Sequence, residues 1–435
     1  MKTLRLRHTL TGGGALLTLV AIGNVALWIA GRPPGQPTAR YVGEICGAEA
    51  VLLFSCALVL ATVLPAIERA FSGLDQVVVW HRRAATAAVI LLVPHVVLAT
   101  SSPDRYATGF GPGLGDVALV GLVALSVWAL APKLRAARWP GPVRRLARAS
   151  YERWLTAHRL TGLFVVAAVT HGAIVDPALR GSTPLRVVYL TVGGVGVAAY
   201  AYRELFARFI MPSYDYTVAD IRRPNDSTLE ISLEPARDPL AFVPGQFVFL
   251  AFGGANGWQR HPFSVASAPA QRRLEVAIKA VGDYTRDLHD RLRPGTPARA
   301  AGPFGGFDYR FGGQDQIWIA GGIGITPFMS WIRSLDATFD RHIDFYYSVA
   351  READALYLDE IDAAGDQHLT FHPHIVYTDR DELLTAQRAM DGRPRRGDVW
   401  IYMCGPPPMT AALAREFRGL GISPSHVRWE HFDTR

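Results

Sequence analysis

In the run Ile317-Trp318-Ile319-Ala320-Gly321-Gly322-Ile323-Gly324-Ile325-Thr326-Pro327, a short apolar strand leads into a glycine-rich turn, and the turn leads into a helical stretch. Such a turn lets backbone amides and a helix N-terminus approach a pyrophosphate. Glycine turns are common, so its neighbours decide its meaning. Downstream, residues 316–435 alternate strand and helix, as in an open parallel sheet, with further strands at 343–347 and 399–403. Upstream, 214–221, 228–233, 246–251 and 274–279 are strand-like runs separated by turn residues, which reads as a small antiparallel barrel over 213–310.

The order of motifs around the turn narrows the reading. His261-Pro262-Phe263-Ser264 follows Pro244-Gly245-Gln246-Phe247. Gly282-Asp283-Tyr284-Thr285 follows the strand that ends in Ile278-Lys279. Gly302-Pro303-Phe304-Gly305 closes the barrel before the glycine turn begins. Cys404-Gly405-Pro406 follows the strand at 399–403, and Phe432 lies near the C-terminus. After the strand at 343–347 come Ser348 and Arg351, placed to grip a 2′-phosphate.

The N-terminal half has a different composition. Residues 10 to about 205 carry long apolar runs with few acids, and basic clusters lie between the runs. A bilayer core needs about 20 mainly apolar residues per helix. Six segments qualify: 10–30, 44–66, 80–100, 115–132, 155–175 and 185–206. The first looks like a signal peptide but is better taken as a membrane helix, because further spans follow. The net charge of +7 lies largely in loops beside these segments, which makes it a topology signal and speaks against nucleic-acid binding. Lys133, Arg135, Arg138, Arg144, Arg145, Arg148 and Arg153, together with Lys2, Arg5 and Arg7 of the N-terminal tail, put that side in the cytoplasm. The N-terminus and residues 213–435 are then cytoplasmic. The expected protein is a multi-pass cell-membrane protein in contact with lipid.

The three cysteines, Cys46, Cys56 and Cys404, form no disulfide framework and no zinc or iron–sulfur ligand set. A redox metal would need other ligands. Only four histidines occur in the apolar segments: His81 and His95 in the third, His158 and His171 in the fifth. Imidazole is an axial ligand for haem iron. These two parallel helices can clamp two haems, His81/His158 on the inner and His95/His171 on the outer. From His81 to His95 is 14 residues (95 − 81), close to four helical turns. From His158 to His171 is 13 (171 − 158), which rotates the second ligand by about 140° in an ideal helix, so a kink or π-bulge is expected, with Gly162 as a place for it. Arg82, Arg83 and Arg159 stand beside the inner ligands, where propionates would lie. Glu49 sits deep in the second segment, with Arg40 and Glu44 at the rim, and is a candidate for shaping an outer acceptor site.

From residue 213 on, the motif order resembles the ferredoxin–NADP reductase superfamily. With the four histidines upstream, the whole chain resembles the NADPH oxidase and ferric-chelate reductase family. The resemblance implies a multi-domain membrane protein: a six-helix transmembrane haem bundle (1–210), an antiparallel β-barrel FAD domain (211–312) and an α/β parallel-sheet NAD(P) domain (313–435). It implies FAD, two haem b and NADPH (or NADH) as cofactors. His261, Pro262, Phe263 and Ser264 would hold the flavin, with Ser264 beside its reactive nitrogen. Ile278 and Lys279 would touch it, and Gly282, Tyr284 and Thr285 would take its pyrophosphate. Gly321, Gly322, Gly324, Ile325, Thr326 and Pro327, with Gly405 and Pro406, would bind the nicotinamide nucleotide. Cys404 would lie near the nicotinamide ring, and Phe432 would cover the flavin. Animal-type oxidases have a further histidine where this chain has Ala99, which speaks against a dedicated superoxide generator.

The activity so implied is a transmembrane oxidoreductase. It would move electrons from NAD(P)H through FAD and two b-type haems to a small-molecule or protein acceptor outside, such as a ferric chelate, oxygen or a quinone. A membrane-tethered flavin reductase without haem, and a haem-binding sensor or subunit without turnover, are the rival readings.

Overall fold

The computed structural model describes residues 12–71, 73–99, 109–134, 151–206, 213–254, 258–336, 338–391 and 398–430. The chain divides into two units, 10–210 and 211–434.

The first unit is helical: α1 (Gly12–Ala30), α2 (Thr38–Leu60), α3 (Pro65–Phe71), α4 (Leu74–Ala99), α5 (Phe110–Leu134), α6 (Tyr151–Arg159), α7 (Thr161–Val175), α8 (Pro177–Gly181) and α9 (Thr183–Ala201), the last continued by a π turn at Tyr202–Phe206. Among the described residues, six helical stretches are long and apolar enough to cross a membrane. Leu16, Ile22, Ile90, Val93, Val120 and Leu163 are each more than half exposed on the outside of the bundle. Water penalises such a surface, whereas hydrocarbon does not. The hub is α2, where Ala50, Val51, Leu52, Leu53 and Phe54 are all buried. A helix apolar on every side belongs inside its bundle.

Several boundaries differ from the expected ones, most in the second and fifth segments. The second segment starts at 38 rather than 44 and ends at 60 rather than 66. Pro37, with its fixed φ of −59°, sits at the N-cap of α2, and Pro65 opens the separate helix α3. The fifth segment is broken at Leu160, where α6 ends and α7 begins. There the amide of Leu160 bonds to Ala157 O and that of Leu163 to Leu160 O, both at 3.0 Å and both reaching back three residues. This tighter winding changes the rotation between His158 and His171. Gly162, expected to be the break, instead makes room for the Tyr200 ring of α9.

The second unit begins with six antiparallel strands: β1 (Ser213–Asn225), β2 (Thr228–Pro235), β3 (Phe247–Phe252), β4 (His261–Ser264), β5 (Leu274–Lys279) and β6 (Pro297–Phe304). Their order is β4-β3-β6-β1-β2-β5. The bridge Val265–Val276 joins the two edges and curls the sheet into a half-barrel. Helix α10 (Asp283–Arg291) leaves after β5. The parallel sheet follows: β7 (Asp315–Gly321), β8 (His342–Val349), β9 (Phe371–Tyr377), β10 (Trp400–Cys404) and β11 (Val427–Glu430), in the order β11-β10-β7-β8-β9. Helices α11 (Thr326–Ile332), α12 (Leu358–Gln367), α13 (Ala386–Ala389) and α14 (Pro407–Gly419) connect these strands. Strand β7 is buried on both faces: Trp318 joins one core with Phe328, Trp331 and Phe345, and Ile317 and Ile319 join the other with Ile401, Met403 and Phe417. Alternation of side chains with both faces covered is what a parallel sheet demands.

Candidate functional site

In an open parallel sheet, ligands bind outside the C-terminal ends of the strands where the strand order reverses. Here that point lies between β7 and β10, whose residues Ala320 and Cys404 are paired. Gly321 ends β7, and Gly322 turns the chain with φ +54°. A Cβ on Gly324 would run into the Cys404 carbonyl, and one on Gly405 would lie 2.9 Å from Gly321 Cα. The two loops therefore meet backbone to backbone. Gly322, Ile323, Gly405 and Pro406 keep accessible surface at this mouth, whereas Ile325, Thr326 and Pro327 are buried. The Thr326 hydroxyl donates to Ile323 O at 2.8 Å and so holds the turn. Ile323 was not singled out in the sequence. Its one signal was its place between two glycines that must pack inward. Cys404 is buried, and burial together with the Glu430 carboxylate pushes its thiol well above the ordinary range. It stays a neutral, small apolar wall.

The flavin candidates gather on one side of the half-barrel. His261–Ser264 form a strand of their own, β4, paired with β3 from His261–Leu250 to Ser264–Phe247. Ser264 is buried, while His261, Pro262 and Phe263 are half-buried. The Tyr284 ring stacks on His261 with centroids 3.7 Å apart and planes 19° apart. Burial pushes the Tyr284 hydroxyl up to about 12, so it stays protonated as a donor. Lys279 ends β5 opposite Thr228 and is half-buried. The Ile278 side chain is packed in the barrel core, which leaves only its backbone for a ligand. The Thr285 hydroxyl accepts from the amides of Val281 and Gly282, both at 3.0 Å. It caps α10, and the amides of the first turn, which have no acceptor within a helix, face outward from that cap.

Ser348 is buried and paired with Gly321, one strand over from the glycine turn. Arg351 is exposed and ion-paired with Asp354 at 3.1 Å. Phe432, the basic N-terminal tail and the basic loop between the fourth and fifth segments lie outside the described residues, apart from the helical backbone at Lys133 and Arg153.

In the helical unit, α4 directs both of its histidines at α2. Nδ1–H of His81 donates to Ala57 O at 2.9 Å, and that of His95 to Gly43 O at 2.8 Å. Nδ1–H of His171 donates to Gly111 O of α5 at 2.9 Å. A carbonyl can only accept, so Nδ1 carries the proton in all three and Nε2 keeps its lone pair for a metal. The Nδ1 of His158 is buried without a hydrogen-bond partner, and the Trp154 ring stacks on it at 5.3 Å and 7°. Its ring lies 6.3 Å from that of His81, with the planes 81° apart. Gly47 follows Gly43 by one turn, and a Cβ there would lie 2.6 Å from His95 Nδ1. Gly115 follows Gly111 by one turn, and a Cβ there would lie 2.6 Å from His171 Cε1. These two G-x-x-x-G spacings passed unnoticed in the sequence, although small residues one turn apart are the sign of close approach.

Of the basic residues beside the inner ligands, Arg159 is bidentate on Glu204, with Nε 2.9 and 3.0 Å from its two oxygens. Arg83 lies over the Trp80 ring. Glu49 accepts from Asn24 of α1 at 2.7 Å, inside the bundle. It stands two positions after Gly47, about 200° of helix, so it faces away from His95. Arg40 and Glu44 pair with each other at 3.2 Å.

Residues 213–316 match the model of an FAD-binding domain family, and 318–415 that of an oxidoreductase NAD-binding domain family. The β subunit of a haem-dependent oxidative N-demethylase from Ectopseudomonas mendocina is 32% identical over 230 residues, which is 50% of this chain and 69% of that protein. This chain belongs to the ferredoxin–NADP reductase-type oxidoreductases. It is an NAD(P)H-dependent enzyme that passes electrons to FAD. The electron transfer component of a toluate 1,2-dioxygenase from Pseudomonas putida is 26% identical over 228 residues, 50% of this chain and 67% of that protein. A flavohemoprotein of Pseudomonas putida matches over half of its own length at 26% identity. The chain thus spans between half and about two thirds of these relatives. In fold, it is similar to the flavohemoglobin of Malassezia yamatoensis, with a TM-score of 0.52 over 91% of this chain and 99% of that one, at 15% identity.

Proposed function

We propose that this protein is a membrane-spanning flavocytochrome of the NADPH oxidase and ferric-chelate reductase type. It takes electrons from NAD(P)H on the cytoplasmic side and hands them, through FAD and two b-type haems, to an acceptor outside: a ferric chelate, oxygen or a quinone. The observation that carries this is the 6.3 Å between the His81 and His158 ring centroids. Two imidazoles bound to one iron at about 2 Å, each nitrogen about 1.1 Å from its ring centre, would stand about 6.2 Å apart. The spacing and the free Nε2 lone pair of His81 fit a bis-histidine haem. When bound, FAD accepts a hydride and releases electrons one at a time, and haem carries them singly.

The chain's own residues do the holding. His81 and His158 are the inner ligand pair, and His95 and His171 the outer. The carbonyls of Ala57, Gly43 and Gly111 fix the tautomer and angle of three of these rings. The strand His261–Ser264 offers Phe263 to the flavin ring and the Ser264 hydroxyl to its reactive nitrogen. Tyr284 and the first-turn amides of α10 face the pyrophosphate. Gly322, Ile323, Gly405 and Pro406 receive the nicotinamide nucleotide, and Cys404 backs the ring. The apolar bundle keeps water from the electron path. The positive loop between spans four and five supports a cytoplasmic reductase half.

Purified protein should show a six-coordinate b-type spectrum with about two haems per chain. Anaerobic NADH or NADPH should then bleach the flavin and reduce both haems. A preparation with flavin but no haem would instead make this a tethered flavin reductase, and haem without reduction would make it a sensor or subunit.

A further inference from the structure

The C-terminal ends of β8 and β9 carry a charged cluster beside the nucleotide crevice. Val349 of β8 is paired with Tyr377 of β9. Beyond them the two loops run side by side, the amides of Thr378 and Asp379 bonding to the carbonyls of Val349 and Ala350 at 2.9 and 3.1 Å. One loop brings Arg351, Glu352 and Asp354, and the other brings Asp379, Arg380 and Asp381. Ser348, paired with Gly321, ties this cluster to the glycine turn one strand away. In such sheets the turn after the first strand takes the pyrophosphate. The end of the next strand meets the adenosine ribose, where a carboxylate binds the 2′-hydroxyl and an arginine takes a 2′-phosphate.

Both arginines here are already engaged by acids. Arg351 Nε lies 3.1 Å from Asp354, and Arg380 lies 3.3 Å from Glu352 while covering the Tyr377 ring at 4.1 Å. Asp381 accepts the Tyr377 amide at 2.7 Å. Two guanidiniums against four carboxylates leave a formal charge of −2 (2 − 4). A 2′-phosphate would bring about −2 more into the same space. Freeing one arginine for it would also leave that arginine's carboxylate beside the phosphate.

We propose that NADH is the electron donor of this enzyme, that Glu352 and Asp354 receive the ribose hydroxyls, and that their charge excludes the 2′-phosphate of NADPH. This rests on the NAD(P)H-dependent reductase assignment alone, and stands whether or not the bundle holds haem.

The test uses the full-length protein in detergent, with ferricyanide as an acceptor that draws directly on the flavin. The kcat/KM for NADH should exceed that for NADPH by about tenfold or more, most of it in KM. Raising the salt from about 0.01 to 0.5 M should narrow the ratio, because exposed charges are screened. Glu352→Gln with Asp354→Asn should release both arginines and improve kcat/KM for NADPH by about tenfold, with flavin content as the check on folding. Equal use of the two nucleotides or a preference for NADPH by the parent would overturn the proposal. So would a ratio that neither salt nor the double substitution moves.

Discussion

Gly47 and Gly115 do the same work on two different helices. Each stands one turn past a glycine whose carbonyl accepts from a histidine ring, His95 or His171, and each leaves the space that the imidazole fills. Alanine is normally the better helix residue by about 1 kcal/mol. Here its methyl group would meet the His95 or His171 ring at 2.6 Å, so crowding outweighs that gain. Gly47→Ala or Gly115→Ala should yield protein with about one haem per chain instead of two and an unchanged flavin content. Pyridine haemochrome and flavin absorbance on the same sample check this, and two haems in both variants would count against the outer site. The four histidines were legible in the sequence because ionisable rings stand out in apolar runs. Their acceptors were not, because a backbone carbonyl has no sequence signature. For Glu49 the sequence showed an ionisable group in an apolar segment, but not its direction toward Asn24, which depends on where α1 packs.

The element that matters most is the broken fifth span. A continuous helix would turn His171 away from His158's side, and the chain instead breaks at Leu160 with a tightened turn. The thirteen-residue spacing led to the expectation of a break in this segment; it falls at Leu160, while Gly162 makes room for the Tyr200 ring. The orientation of α6 against α4 also holds the His81 and His158 planes 81° apart. Perpendicular imidazole planes leave two iron d-orbitals nearly equal in energy. The oxidised protein should thus give a strongly anisotropic low-spin ferric signal in electron paramagnetic resonance, and His158→Leu should abolish it. A purely rhombic spectrum, as near-parallel planes give, would show that the inner ligands are held differently. In the reductase half, β4 was hidden in the sequence because a four-residue strand containing proline has little periodicity. Its pairing with β3 supplies the order that the motif lacked.

At the scale of the molecule, Arg333 joins the two layers of the reductase half. It is bidentate on Glu360 of α12 at 2.7 Å, bonds Glu275 of β5 at 2.8 Å and Ala266 O at 3.1 Å, and lies over the Tyr357 ring. Ser330 adds a buried bond to Ser267 O at 2.7 Å. Removing one partner of a buried ion pair costs about 3–5 kcal/mol, and Glu360 remains partly exposed, so Arg333→Ala should destabilise this half by about 2 kcal/mol. Flavin release in a thermal scan should come several degrees earlier; an unchanged midpoint would mean that the pair is decorative. None of this was visible beforehand, since Arg333 belongs to no motif and its partners come from 58 residues before and 27 after. The element types, the domain order and the redox class were legible from local patterns: apolar length, strand–turn–helix punctuation and the succession of glycine and aromatic motifs. Those patterns express the hydrogen-bonding needs of a single segment, which the segment's own residues reveal. Which way a side chain faces, which carbonyl meets which imidazole and which acids surround Arg351 are matters of contact between distant segments. They follow from packing, which local composition does not encode.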